Sequence, residues 1–137
     1  MRTLLAFAPL LALGCLYDQP TLRSDTTRAD YDACASLTGL GRACVDASWE
    51  LHTLVAKSTG CSLDSDCRVL VTEDPLAPAW IAVTASAEAA TLNSIARVRT
   101  ACGEVDQWAA QPETRCRNHR CVLSAKYSWP RHCKVEH

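Results

Sequence analysis

Cysteine is the residue of this sequence with the most open chemistry, because its sulfur serves as a crosslink, a metal ligand or a nucleophile. The chain has 137 residues and nine cysteines. Disulfides persist in oxidising compartments, whereas free or metal-bound thiols are typical of the cytosol. The compartment therefore decides the chemistry, and the N-terminus is the part of the sequence that indicates the compartment.

The first residues have the pattern of an export signal. Arg2 is the only charge before an apolar run that Pro9 alone interrupts, and Gly14 follows that run. This run, residues 4–13, is shorter than the roughly 20 residues that a membrane-spanning helix needs. A basic start, a short apolar middle and a small residue before the cut are typical of a secretory signal. We predict that residues 1–14 are a signal peptide.

The junction Gly14-Cys15 resembles the lipobox of bacterial lipoproteins, in which the cysteine is lipidated and the leader is cut just before it. Ala12 stands where that pattern usually has Leu. The resemblance implies a lipid attached to Cys15, with residues 15–27 as a polar tether. Leu16, instead of Asp, after the lipidated cysteine would direct it to the outer membrane. The alternative is an ordinary signal cut nearby, which gives a periplasmic or extracellular protein.

Setting Cys15 aside leaves eight of the nine cysteines, an even number. In an exported chain an even set predicts a disulfide framework. The pairing is open, but two helices folded back about Gly39 would bring Cys34 opposite Cys44, and we predict that bridge. The predicted disulfide cysteines are Cys34, Cys44, Cys61, Cys67, Cys102, Cys116, Cys121 and Cys133.

The order of local patterns predicts an α+β domain over residues 28–137, with a small antiparallel sheet packed against about three helices and stapled by disulfides. Apolar residues at helical spacing define the helices, and short β-branched runs define the strands. The predicted elements are a helix from Arg28 capped by Thr27, a helix over 42–57, strands over 68–72 and 80–84, a helix capped by Ser86 with Leu92 on its buried face, and a hairpin turning at Asn118-His119.

Two cysteine-bounded segments, Cys61-Ser-Leu-Asp-Ser-Asp-Cys67 and Cys116-Arg-Asn-His-Arg-Cys121-Val122, resemble uncharacterised cysteine-rich lipoproteins of myxobacteria and related bacteria. The resemblance covers roughly residues 45–125. It implies an exported, disulfide-bonded module, and it brings with it no activity and no functional residue.

Metal sites are not predicted. Asp64 and Asp66 are spaced like the first ligands of a calcium loop, but Val69 occupies the position of its glycine and Pro75 that of its bidentate glutamate. We expect the two aspartates to bond local backbone N–H groups instead. The closest cysteine pairs, Cys61/Cys67 and Cys116/Cys121, have five and four intervening residues, at or beyond the upper limit of two to four in structural zinc sites. We predict no metal and no other cofactor.

Catalytic motifs are also lacking: the sequence has neither a Cys-x-x-Cys pair nor a Gly-x-Ser-x-Gly elbow. His52 lies in the second predicted helix beside Leu51 and is expected to be structural. We therefore predict a binding module without catalytic residues. The alternatives are a small envelope hydrolase built on His52 or His119, and an inhibitor of an envelope enzyme that presents the loop of residues 73–78.

Charge is unevenly distributed along a chain whose formal net charge is −1. The C-terminal segment 115–134 is basic, which favours an anionic partner such as lipid headgroups, a wall polymer or an acidic protein; the alternative is a solvated face without a partner. We expect a membrane-anchored envelope protein that binds an envelope protein or wall polymer and no nucleic acid. The candidate binding residues are Arg115, Arg117, Arg120, Lys126, Trp129 and Arg131.

Overall fold

The described part of the chain contains three α-helices and two pairs of antiparallel strands, which confirms the predicted α+β class. The computed structural model describes residues 27–76, 79–104 and 111–124. In chain order the elements are α1 (Arg28–Thr38), α2 (Arg42–Ala56), β1 (Cys67–Val71), β2 (Trp80–Thr84), α3 (Glu88–Cys102), β3 (Thr114–Arg117) and β4 (Arg120–Leu123).

Local signals define α1 at both ends. Thr27 and Asp30 form a reciprocal capping box, in which each side chain accepts a hydrogen bond from the other residue's backbone N–H. The helix ends at Gly39, whose φ of 71° is in the left-handed region that glycine adopts at little cost. The predicted start of this helix is confirmed.

The β1–β2 sheet is covered on both faces, which explains why β2 is apolar without alternation. Ile81 and Val83 pack on the helix side, while Ala82, fully buried between them, faces the β3–β4 hairpin. Strands covered on both faces are expected to be apolar throughout. The layers are therefore α2 and α3, then β1–β2, then the hairpin.

The main core lies between the helices and the first sheet, and a second cluster joins α1 to α2. Burial of apolar surface in such clusters is the main favourable contribution to folding. The main core comprises Leu51, Val55, Leu70, Ile81, Val83, Ile95 and Val98. The second cluster comprises Tyr31, Cys34, Ala35, Val45 and Leu76.

Helix α3 starts later and is rotated relative to the prediction. It begins at Glu88 after a 3₁₀ turn over Ala85–Ala87, so Ser86 is not its N-cap. Leu92 is 47% exposed, whereas Thr91 and Ser94 are buried. Thr91 meets its hydrogen-bonding need by donating to the Ala87 carbonyl at 2.8 Å. Thr91 can therefore lie on the buried face of α3, and Leu92 lies on its exposed face.

The predicted Cys34–Cys44 bridge is wrong. Cys44, at the start of α2, is bonded to Cys102 at the end of α3, with Cα atoms 4.7 Å apart. Helix α2 packs along α3, which places the first turn of one beside the last turn of the other. Cys34 is also disulfide-bonded, but not to Cys44.

The predicted signal peptide, Cys15 and nearly all of the tether lie outside the described residues, as do Cys133, Lys126, Trp129 and Arg131. Within the ranges that the structure describes, no helix combines the length and the apolar character needed to cross a bilayer.

Candidate functional site

The β3–β4 hairpin is fastened to the rest of the domain by two disulfides. Cys116 in β3 is bonded to Cys61, and Cys121 in β4 is bonded to Cys67 at the start of β1. Cys116 and Cys121 are direct cross-strand partners. Their side chains therefore point to the same face of the hairpin, toward the sheet. The opposite face of the hairpin is directed away from these bridges.

Backbone hydrogen bonds add to this attachment. The Cys121 N–H donates to the Thr59 carbonyl at 2.7 Å, and the Cys61 N–H donates to the His119 carbonyl at 3.2 Å. Gly60 and Arg120 form an isolated antiparallel bridge. The segment before Cys61 thus pairs with the hairpin like a short additional strand.

Asp64 and Asp66 organise the loop between Cys61 and Cys67. The Asp66 carboxylate accepts from the Ser62 and Leu63 N–H groups at 2.8 and 2.9 Å, and these two hydrogen bonds are the main cause of its lowered pKa. This confirms that the aspartates bond local backbone. Asp64 also makes a contact that the sequence does not predict. Its carboxylate accepts a hydrogen bond from the Cys116 N–H at 2.7 Å, which ties the loop to the hairpin.

The hairpin turns at Asn118-His119, as the sequence predicts. Both residues have positive φ, 50° and 60°. Two successive left-handed residues are the signature of the two-residue turn whose twist matches that of paired strands. This tight turn places Arg117 and Arg120 directly opposite each other at the tip of the hairpin.

Three arginines share the outer face of the hairpin. Arg115 and Arg117 are two residues apart on β3, and Arg120 is the cross-strand partner of Arg117. All three are exposed. Like charges directly opposite on a sheet repel each other. Arg117 and Arg120 therefore concentrate positive charge at the tip of the hairpin, where Arg120 also donates to the Thr59 hydroxyl at 3.4 Å.

An open groove of about 750 Å³ adjoins this face at Arg115. Arg68 also lines this groove, and its side chain forms a salt bridge with Glu88 at 3.6 Å. The groove holds acids as well as bases, and Arg115 lies 3.8 Å from Glu113. Its lining residues are Asp64, Cys67, Arg68, Val69, Gln111, Pro112, Glu113, Thr114 and Arg115.

The structure brings together half of the predicted binding residues. Arg115, Arg117 and Arg120 lie on one face, while the other three candidates fall outside the described residues. Arg68 was not among the candidates, because it is 47 positions before Arg115 in sequence. Cys67 is the residue that could have indicated Arg68, because the Cys67–Cys121 disulfide brings the adjacent Arg68 to this groove.

A separate polar cluster lies between α1 and α2. His52 is 5% exposed, stacks on Trp49 with ring centroids 5.1 Å apart, and shares a hydrogen bond of 3.2 Å with the Tyr31 hydroxyl. Burial lowers the pKa of His52 and raises that of Tyr31. Both groups are therefore held in their neutral forms at neutral pH.

Ser48 and Asp74 are two further polar residues buried in the interior. The Ser48 hydroxyl donates to Asp74 Oδ1 at 2.8 Å, and the Leu76 N–H donates to the same oxygen at 2.8 Å. Both Ser48 and Asp74 have 0% exposure. The Ser48 hydroxyl is thus directed at a carboxylate inside the closed core. Asp74 and Leu76 also belong to the loop of residues 73–78 that was considered as an inhibitory probe, and both are buried.

Comparison of the chain with family models, with curated protein sequences and with solved structures returned no match.

Asp74 makes stability depend on pH. Burial raises its pKa from 3.8 to about 6, because desolvation outweighs the hydrogen bonds from Leu76 and Ser48. The folded state then holds the proton more tightly than the unfolded state, so this contribution is complete below pH 3.8 and is lost as the pH rises through 6. We expect the free energy of unfolding of Asp74→Asn, relative to the wild type, to rise by about 3 kcal/mol between pH 3.5 and 7.

Urea denaturation across that pH range measures this difference. Glu50→Gln is the control, because Glu50 is an exposed acid in an ion pair with Arg97 and its loss should cost at most about 1 kcal/mol at any pH. A difference between Asp74→Asn and the wild type that stays constant with pH would show that Asp74 is ionised in the folded state.

Proposed function

We propose that the protein is an exported envelope module that binds an anionic polymer through the basic outer face of its hairpin, formed by Arg115, Arg117 and Arg120. The observation that carries this proposal is the placement of Arg117 opposite Arg120 at the tip of a disulfide-anchored hairpin. An anion between the two guanidinium groups would accept charge-assisted hydrogen bonds from both.

The chemistry of the face favours phosphate or carboxylate groups. Arginine presents a planar fork of donors that matches both anions in two-point contacts. Arg115 continues the row along β3, and the groove beside it contains Arg68. A series of charges along one face suits a chain of repeated anionic groups better than a single small anion. An acidic protein patch is the competing partner that the experiment below must distinguish.

The two disulfides support a binding role because they limit the motion of the hairpin relative to the rest of the domain. Two disulfides fasten the two strands separately to the segment of Cys61 and Cys67. A rigid face loses little conformational freedom when it binds. The Ser48, His52 and Asp74 side chains, by contrast, are buried and bonded inside the domain, which favours binding over catalysis as the function.

We propose that the protein is exported across the inner membrane of a bacterium. Lipidated Cys15 would then hold the domain at the outer membrane. The disulfide-rich fold, without a membrane-spanning helix in its described part, is compatible with an extracytoplasmic location. The lipid claim rests on the leader and on Gly14-Cys15.

Reversing two charges on the hairpin tests the binding face. We expect Arg117→Glu/Arg120→Glu to weaken binding to polyphosphate or polygalacturonate by at least about 30-fold, since each basic residue near an anionic surface contributes about 1 kcal/mol. Binding is measured by fluorescence anisotropy of labelled polymer at several salt concentrations. The wild-type affinity should fall as salt rises.

Arg97→Glu is the matched control, because Arg97 is an exposed arginine on α3, on the helix side of the β1–β2 sheet. It should retain wild-type affinity. If the double variant and the wild type bind the polymers equally, the hairpin is not the binding face. If the wild type binds neither polymer but captures an acidic protein through Arg117, the partner class is wrong.

Replacing Cys15 tests the anchor separately. Cys15→Ala removes the only atom to which the lipid can be attached at that junction, so we expect the protein to leave the membrane fraction. Cell fractionation with immunoblotting measures this, and the total amount of protein in the two fractions together checks expression. Membrane association that persists in Cys15→Ala would contradict lipidation at this position.

A further inference from the structure

The groove beside Arg115 runs along the edges of two strands. Arg68 and Val69 are consecutive on β1 and both line the groove, and so do Thr114 and Arg115 on β3. Successive side chains of a strand point to opposite faces of its sheet. Neighbours that point in opposite directions both reach a groove when it lies along the edge of their strand. One wall of the groove is therefore an edge of β1, and the other is an edge of β3.

The hydrogen-bonding register shows which backbone groups of β1 point to this edge. The Thr72 N–H donates to the Ala79 carbonyl at 2.9 Å, so these two residues are a hydrogen-bonded pair directly after the β1–β2 ladder. Hydrogen-bonded and non-hydrogen-bonded pairs alternate along an antiparallel ladder. Leu70 therefore bonds β2, whereas the N–H and C=O groups of Val69 and Val71 point away from β2.

The outer edge of β1 is open over a short length. Within residues 27–76, 79–104 and 111–124, β1 pairs with β2 and with no other strand. The open edge begins after Cys67, whose N–H donates to the Asp64 carbonyl, and it ends before Glu73, whose φ of 50° is not extended. Between these limits Val69 and Val71 present two N–H and two C=O groups, which suit an added strand of about four residues.

The facing edge of β3 is less suited to accept a strand. The Ser124 N–H donates to the Glu113 carbonyl at 2.8 Å, so by the same alternation the backbone groups of Cys116 point outward. The outward Cys116 N–H already donates to the Asp64 carboxylate at 2.7 Å. Pro112, which precedes β3, has no N–H to offer. An added strand would therefore pair with β1, and β3 would form the opposite wall.

One guanidinium group lies on each wall of the groove. Arg68 is held in place by two hydrogen bonds to nearby backbone carbonyls, and its Nε lies 3.6 Å from Glu88. Arg115 lies 3.8 Å from Glu113, whose side chain is 80% exposed. Both ion pairs are longer than a hydrogen bond, so each guanidinium retains donors for a carboxylate of a ligand.

The two walls define which side chains an added strand should carry. A residue opposite Arg68 lies on the same face of the sheet as Arg68, where an acid forms a favourable cross-strand pair. The next residue points to the other face, toward the wall that carries Arg115. Val71 is 36% exposed and favours an apolar residue opposite it. The groove thus matches an extended segment in which apolar or β-branched residues precede two acids.

We propose that the groove binds an extended acidic segment of a partner protein, which adds to the edge of β1 as an antiparallel third strand. Main-chain hydrogen bonds to Val69 and Val71 supply affinity, and the two arginines supply selectivity for acidic side chains. This site is separate from the tip of the hairpin, and it shares only Arg115 with the face proposed to bind an anionic polymer.

A designed peptide tests this proposal on the whole, oxidised protein. The probe is acetyl-Thr-Val-Thr-Glu-Glu-Thr-amide, in which the valine and the first glutamate lie opposite Val71 and Val69. We expect up to about 1 mM peptide to shift the NMR signals of the Val69 and Val71 amides. Hydrogen exchange of these two amides should be fast in the protein alone and at least about tenfold slower in the complex, whereas the Leu70 amide should be protected in both.

Two altered peptides provide controls that leave the protein unchanged. N-methylation of the valine and the first glutamate removes the two N–H groups that face β1, so we expect affinity to fall at least about tenfold. Lysine in place of both glutamates should weaken binding by a similar factor, because each lysine would meet an arginine.

Protein variants locate the site. Val71→Pro removes an N–H that points away from β2 and leaves the β1–β2 ladder intact, so it should weaken binding at least about fivefold. Arg117→Ala/Arg120→Ala changes only the tip of the hairpin and should bind the peptide within about twofold of the wild type.

Three results would overturn the proposal. One is the absence of any shift at Val69 and Val71, and another is equal binding of the N-methylated peptide, which would exclude strand addition. The third is slow exchange of both amides in the protein alone. That result would mean that the edge is already covered, by a second copy if sedimentation shows a dimer and by the chain itself if it shows a monomer.

Discussion

Covalent crosslinking of the first half of the chain to the second is the constraint on which the rest of the fold depends. The three disulfides whose partners are both described span 58, 55 and 54 residues and join the two halves in the same order. In the chain-entropy model, closing a loop of this length disfavours the unfolded state by about 4 kcal/mol for a single bridge. The elements being joined need this support, because two-stranded sheets are marginal by themselves in water. The bridges let the chain combine two such sheets with three helices in a small domain.

The disulfides lie on both sides of the β1–β2 sheet, and their positions determine which face of the hairpin is fixed to the domain. Cys44–Cys102 locks α2 to α3 on one side of the β1–β2 sheet, and the other two bridges lock the hairpin on the other side. With its inner face fixed, the hairpin exposes Arg115, Arg117 and Arg120 on the opposite face, where Val122, the partner of Arg115, is buried. Two of these three exposed arginines are directly opposed across the strands. Charges held close together on an exposed, rigid element are where a binding function is best sought.

Local features were predictable from the sequence, and features that depend on three-dimensional packing were not. The capping box of Thr27 and Asp30, the strand Trp80–Thr84 and the Asn118-His119 turn follow from the preferences of neighbouring residues. The partner of Cys44 depends on which helix lies beside α2. Which residues of α3 are buried depends on the hydrogen bond from the Thr91 hydroxyl to its own helix. This bond allows Thr91 to be buried while Leu92 is exposed. The site followed the same rule: three arginines of the hairpin were identified, but the groove with Arg68 exists only because distant segments meet.

The disulfide frame can be tested directly on protein purified from its native envelope under conditions that block thiol exchange. Proteolysis without reduction, followed by mass spectrometry, identifies which cysteine-containing peptides are joined. The account predicts linked peptides for Cys44 with Cys102, Cys61 with Cys116 and Cys67 with Cys121. A peptide that joins Cys34 to Cys44, or alkylated free thiols at the hairpin cysteines of the native protein, would contradict it.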